Sequence, residues 1–381
     1  MSNKALRCVL CRSSDVESFR FPFPIFRYVN LLPERESIAV VHRCLNCQML
    51  FADHFGKEHE IRDYYHSAEY AAARPWTACT IVKDNEPPVT PYFLVADIIG
   101  HLLKNKRPRI LDIGCYDGKL LLELDRRFDS PELHGFDVSE HLGAQFTRKR
   151  NFRYWCGSVT EIEGEFDLVV MMNSLMYVDD TPNLMKKIFG LLNDSGIVLV
   201  VVPDVSKNKM GLLLGDEFTY FTPNILGNFF CHYGYELDII DSKGAFPRHV
   251  IGVSRKKTAT AHGLPSYRED RRVYDALIYL IGLKWKLEIL KARPKGGSEA
   301  GRLAVLGIRL NAAVVSWALG DRIDLFVDEN PLVEGWSFHG KPVHHPRTLS
   351  RADTVVIPFG ETSKPIGERF ERDYRAKVIC V

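Results

Sequence analysis

The sequence lacks an excess of either charge: 50 Lys and Arg stand against 48 Asp and Glu in 381 residues, for a formal charge of +2. A protein whose main ligand is a polyanion needs a basic excess to neutralise phosphates, so nucleic acid is not an expected partner. Also missing is any apolar run near the roughly 20 residues that a membrane helix requires. The opening MSNKALRCVLCRSS has no apolar signal-peptide core, which predicts a cytoplasmic protein without a membrane span. Low-complexity bias is absent too: hydrophobic residues make up 46% and charged residues 26%, which excludes a disordered or collagen-like chain. The length admits two or three domains.

Cysteine is present in some number, nine in all. In a reducing compartment these are metal ligands, catalytic groups or core residues before they are disulfides. Four form two CxxC knuckles, Cys8-Val-Leu-Cys11 and Cys44-Leu-Asn-Cys47. Four thiolates satisfy a tetrahedral zinc ion and leave no position open for water or substrate, so Cys8, Cys11, Cys44 and Cys47 read as a structural zinc site. Alternation in Ser37-Ile38-Ala39-Val40-Val41-His42-Arg43 predicts short strands leading into the second knuckle. A β module of this size, with little core, draws stability from its metal.

The tyrosine-rich run Asp63 to Tyr70, followed by Pro87-Pro88, reads as a connector. Apolar spacing then predicts a helix from Pro91 to Asn105. Beyond it, short Val, Ile and Leu runs alternate with helical spacing: 109–114, 134–137, 166–172 and 196–202. Runs apolar on both faces are strands buried between helices, the mark of a parallel sheet in a doubly wound α/β domain. Helical spacing returns around Val273 to Trp285, Lys295-Gly296-Gly297-Ser298 breaks the chain, and a second, smaller α/β pattern follows from Leu303 to Ile357.

The first strand ends in Asp112-Ile113-Gly114-Cys115-Tyr116-Asp117-Gly118, and the next ends in Asp137. A strand, a glycine turn and a helix present backbone N–H groups to a ligand. Pyrophosphate of a dinucleotide needs a second glycine where Tyr116 stands, which counts against an NAD-dependent oxidoreductase. An acid inside the strand end suits an uncharged or cationic ligand.

These residues resemble the first motif of class I S-adenosylmethionine-dependent methyltransferases. The resemblance implies a Rossmann-like core in which Asp112, Gly114 and Gly118 line the methionine part of the methyl donor and Asp137 holds the ribose. It also places Ser158 beside the adenine, where the family often has Asp, and Asn173 at the end of the fourth strand, facing donor and acceptor. The zinc knuckles before this core and the small α/β domain after it resemble the zinc-containing sugar C-methyltransferases. So do the runs Tyr65-His66-Ser67, Asp216 to Thr222 and Asp328-Glu329-Asn330-Pro331.

That likeness implies a small-molecule substrate, a nucleotide-linked sugar or a glycan, with Tyr65 and a Glu-His pair near the transferred methyl. Glu217 matches the pair's acid, whereas Phe218 stands where the histidine would be, and a phenyl ring takes no proton. The base is then Glu217 or a residue brought in by folding: His232, His249, His66 or Tyr65. Methylation at oxygen competes with methylation at carbon, and a non-catalytic binding scaffold is the rival to both. The segments expected are a zinc-binding module at 1–60, a connector at 61–95, the S-adenosylmethionine-binding domain at 96–257, a helical linker at 258–300 and a C-terminal α/β domain at 301–381.

Overall fold

The computed structural model describes residues 6–27, 31–34, 37–52, 58–72, 89–145, 150–240, 246–256, 266–293 and 301–381. The Pro87-Pro88 and Lys295 to Ser298 punctuation lies outside the described residues. In chain order come β1 (Val16–Arg20), β2 (Val40–Cys44), β3 (Leu50–Phe51), α1 (Glu58–His66), α2 (Ala68–Ala72), α3 (Pro91–Leu102), β4 (Arg109–Ile113) and α4 (Lys119–Arg127). Next are β5 (Glu132–Asp137), β6 (Phe152–Cys156), β7 (Phe166–Met172), α5 (Thr181–Leu191), β8 (Leu192–Pro203), β9 (Thr219–Tyr220), α6 (Pro223–His232), β10 (Asp238–Ile240) and β11 (His249–Arg255). The chain closes with α7 (Arg272–Ala292), β12 (Leu303–Leu306), α8 (Leu310–Leu319), β13 (Leu325–Val327), β14 (Ser337–Phe338), β15 (Lys341–His344), β16 (Thr354–Ile357), α9 (Ser363–Tyr374) and β17 (Lys377–Cys380).

The chain forms two compact units: Met1–Ser18, His42–Asp204 and Glu217–Asp270 make the first, and Phe19–Val41, Val205–Asp216 and Arg271–Val381 make the second. Residues 19–41 thus fold in the second unit, although 1–60 reads in sequence as one module. Their phenylalanines Phe21, Phe23 and Phe26 are fully buried.

A seven-stranded sheet of order β10-β11-β8-β7-β4-β5-β6 carries the first unit. Strands β4 to β8 run parallel, while β11 runs antiparallel to β8, with Ile251 opposite Val201. Ile110, Leu111, Leu168, Val169 and Val198 to Val202 are buried, as strands covered on both faces require. Three helices around this sheet start with the same device, a side-chain cap followed by proline in the first turn. Thr90 accepts from Phe93 N, Asp180 from Asn183 N and Thr222 from Ile225 N. Strand order reverses between β4 and β7, so the sheet's crevice opens at their carboxyl ends.

The tyrosine-rich run expected as connector is helical, forming α1 and α2. Nearby, β3 pairs antiparallel with β2 (His42 opposite Phe51) and with β9 (Leu50 opposite Tyr220).

The second unit holds a six-stranded sheet of order β14-β15-β13-β12-β16-β17, parallel except for β14. Helix α7 buries Val273, Ala276, Leu280, Leu283, Leu287 and Leu290, a spacing of three and four that defines one face. Among the described residues, no helix is long and apolar enough to cross a membrane.

Candidate active site and cysteine cluster

The turn after β4 is shaped by two positions that reject side chains. Gly114 has φ +79, and a Cβ there would lie 2.5 Å from Ser174 Cβ in the turn after β7. Ser174 Oγ in turn donates to Ile113 O at 2.6 Å, so the loops leaving the two strands at the switch point are in direct contact. Gly118 has φ +68 and serves as N-cap of α4, where its left-handed backbone lets the chain turn into the helix.

Asp112 and Asp137 lie at the ends of neighbouring strands, and both are buried. Asp137 Oδ2 accepts from Tyr116 N at 3.1 Å and Oδ1 from Ser139 N at 3.2 Å. Burial, opposed by these bonds, moves its carboxyl up to about 6. Asp112 has less help: burial, followed by the charges of Asp137 and Asp117, pushes it up to about 8. Its Oδ1 has no hydrogen-bond partner among the described residues, and the same holds for Asn173 Oδ1 at the end of β7. Asn173 adopts φ 55, a left-handed conformation that Asn tolerates better than most residues. Its N–H donates to Val201 O at 2.8 Å. Two buried acceptors therefore face the crevice end of β4 and β7 with capacity for a ligand's donors.

Over this turn stands a cluster of tyrosines. Tyr116 Oη donates to Tyr70 O at 3.3 Å, and the two rings are 5.2 Å apart. The Tyr70 hydroxyl hydrogen-bonds the Asp137 carboxylate. Tyr65 packs on Tyr70 at 5.0 Å and on Tyr177 at 5.3 Å. Tyr177 belongs to the turn after β7, and its neighbour Met176 accepts at its carbonyl from Phe218 N at 2.8 Å. The fold thus ties Tyr65 and the segment of buried Glu217 to the end of β7.

Other expected residues fall elsewhere. Ser158 follows β6, is exposed and caps a short turn by accepting from Thr160 N. His232 ends α6, and its Nδ1 pairs with Tyr267 Oη at 2.8 Å. The Tyr267 hydroxyl is pushed up to about 12 by burial and then by the thiols of Cys47, Cys11, Cys231 and Cys44. From the same helix, Asn228 Nδ2 donates to Cys47 O at 3.3 Å. The structure therefore groups His232 with the cysteine knuckles rather than with the glycine turn. His249 opens β11, and burial holds its imidazole down at about 4, in the neutral form.

The four knuckle thiols converge, with all Sγ atoms within 4.8 Å of one another. Cys8 and Cys47 Sγ are 3.4 Å apart, and Cys11 and Cys44 Sγ 3.5 Å. Four ligands at the zinc–sulfur distance would lie about 3.8 Å from one another, so the cluster has the size of one tetrahedral site. Leu10 N and Cys47 N donate to the Sγ atoms of Cys8 and Cys44, which orients the thiols as outer partners orient metal ligands.

Residues 92–238 match the family described as "Methyltransferase domain". The chain carries a methyltransferase domain. The chain is 29% identical over 115 residues to a trans-aconitate 2-methyltransferase of Deinococcus radiodurans, covering 29% of this chain and 45% of that protein. A malonyl-[acyl-carrier protein] O-methyltransferase of Magnetococcus marinus is 29% identical over 101 residues, covering 24% and 37%. The chain spans less than half the length of these curated relatives. Among solved structures, the magnesium protoporphyrin IX methyltransferase of Synechocystis is 13% identical, with a TM-score of 0.39 over 53% of this chain and 100% of that one.

Sequence reasoning missed two partners of the turn residues: Ser174, which walls Gly114, and Tyr70, which bonds Asp137. The tyrosine-rich run was the available signal for Tyr70. Nothing local marks Ser174, because its role depends on a strand end 61 residues earlier in the chain.

Proposed function

We propose that this chain is an S-adenosylmethionine-dependent methyltransferase acting on a sugar, either nucleotide-linked or part of a glycan, at carbon or oxygen. One observation carries the donor assignment. Buried Asp112 presents a carboxylate oxygen that has no hydrogen-bond partner among the described residues, beside bare Gly114, while Asp137 ends the adjacent strand. A cationic donor suits this acidic crevice, and its bound sulfonium supplies an activated methyl group. The chain's own residues then have separate tasks. Asp112 and the glycine turn hold the donor's amino-acid end, Asp137 accepts from the ribose hydroxyls, and Asn173 meets donor and acceptor at the end of β7.

The tyrosines of α1 and α2 cover the donor and exclude water. Glu217, buried beside the segment tied to Met176, is the base that takes the acceptor's proton. The sugar assignment rests on the order of motifs along the chain and on the joint presence of the cysteine knuckles and the second α/β sheet. Zinc bound by Cys8, Cys11, Cys44 and Cys47 acts as a structural clip.

Calorimetric titration with S-adenosylhomocysteine, with NAD in parallel, tests the donor site. Saturable binding of the first alone is expected, and binding of NAD alone or of neither overturns the reading. The acceptor is then sought by mass spectrometry with S-adenosylmethionine and a panel of nucleotide sugars. Trans-aconitate and malonyl-acyl carrier protein, the acceptors named for the two relatives, complete the panel. A gain of one methyl on one of these two alone would remove the sugar assignment.

A further inference from the structure

Helix α7 has a second apolar face opposite its buried one. Ile278 is 70% exposed, Trp285 68%, Ile289 60%, Ile281 42% and Tyr274 37%. Their spacing of four, three, four and four residues places all five in one stripe along the helix. With about 200 Å² for a fully exposed side chain of this size, the stripe offers on the order of 550 Å². Single exposed apolar residues are ordinary, but a continuous stripe of this extent marks an interaction surface.

We infer that this stripe pairs with the same stripe of a second copy of the chain, α7 against α7 in antiparallel array about a twofold axis. Three features select that occupant. The first is area: two copies bury roughly 1,100 Å², above the about 1,000 Å² that a specific interface should exceed, before flanking residues are added.

Self-complementarity is the second. An axis passing between Ile281 and Gly282 sets Ile278 of each copy opposite Trp285 of the other, and Tyr274 opposite Ile289. An isologous interface requires such reciprocal matching.

The third is Gly282 itself, in the interior of a 21-residue helix. Glycine there costs about 1 kcal/mol relative to alanine. Among the described residues nothing lies within 4 Å of where its Cβ would stand, so packing within the chain does not require it. Close approach of a second helix at the axis does, with Ile281 of one copy seated on Gly282 of the other. Antiparallel alignment also sets opposite helix dipole ends together.

The inference is independent of the donor and acceptor assignments. Light scattering coupled to gel filtration should show the full-length chain at twice 43.5 kDa at tens of micromolar, with no weakening in high salt. Ile278→Glu and Trp285→Glu should each halve that mass while leaving circular dichroism and S-adenosylhomocysteine binding unchanged. To fix orientation, Ile281→Cys in a Cys380→Ser background should join two copies through a short bismaleimide. Tyr274→Cys should do so only when mixed with Ile289→Cys. A monomer at every concentration, or a dimer that persists in the folded Glu variants, overturns the inference. Cosedimentation of a monomeric chain with lipid vesicles, lost in Trp285→Glu, would do the same by giving the stripe to a membrane surface.

Discussion

Trp155 donates its indole N–H to Nδ1 of His134 at 3.2 Å. That bond fixes the imidazole's proton on Nε2, which donates to Glu132 Oε1 at 2.8 Å. His134 is buried on β5, between the edge strand β6 and the core. The neutral ring satisfies both neighbours, and a second proton would leave the indole without its acceptor.

Burial lowers the His134 pKa, against the raising effect of Glu132. The unfolded chain, with an ordinary histidine near 6.5, therefore binds more protons than the fold as pH drops below that value. Stability from this group is present above about pH 6.5 and is lost as pH falls toward the lower native pKa. Urea unfolding at several pH values should show the decline, and His134→Gln should flatten its slope below about pH 6.5. An unchanged slope would remove His134 as its source.

Donor binding should strengthen with rising pH. Asp112 is pushed up to about 8 and Asp137 to about 6, so near neutrality the ligand-free site holds Asp112 largely protonated. A cationic donor favours the carboxylate, so binding expels a proton, and affinity rises through the range from about 6 to 8. Calorimetry at pH 7 in buffers of different ionisation heat should register the release. Asp112→Asn should abolish it and weaken binding by about tenfold or more, about 1.4 kcal/mol.

Gly114→Ala should cost about 1–3 kcal/mol of stability and abolish donor binding, because the new methyl meets Ser174 Cβ and the backbone is left-handed. Adding Ser174→Gly removes the steric part and leaves the backbone part. The double variant should therefore recover some stability in thermal unfolding. If it recovers none, the clash is not the cause.

Purified protein should contain about one zinc per chain by elemental analysis. Cys44→Ser should lose the metal and lower the melting temperature, since a site of this kind contributes directly to folding. A metal-free protein that melts where the native one does would overturn the assignment.

Much of the central sheet was legible because strands buried on both faces write themselves as apolar runs, as in Phe166–Met172. The knuckles were legible because two CxxC turns encode their own geometry. What escaped depends on contacts between distant segments. Helices α1 and α2 lack a strong apolar run, and their tyrosines gain a purpose only against Tyr116 and Asp137. Glu217 was legible as a base from its motif position, whereas His232 was only one of several residues that folding could supply, and its contact with Tyr267 beside the cysteines depends on the packing of α6. Residues 19–41 join the second unit through phenylalanines whose partners come from elsewhere in the chain.

Asn173 and Asp112 each bury an acceptor that the described residues leave without a hydrogen-bond partner, and Asn173 does so on a left-handed backbone. A fold that leaves such groups unsatisfied at its crevice forgoes stability there, and a ligand that satisfies them returns it. Occupancy then protects the chain from local opening and from proteases that act on opened forms. On the proposed function, the lifetime of this protein among proteases would follow the supply of methyl donor.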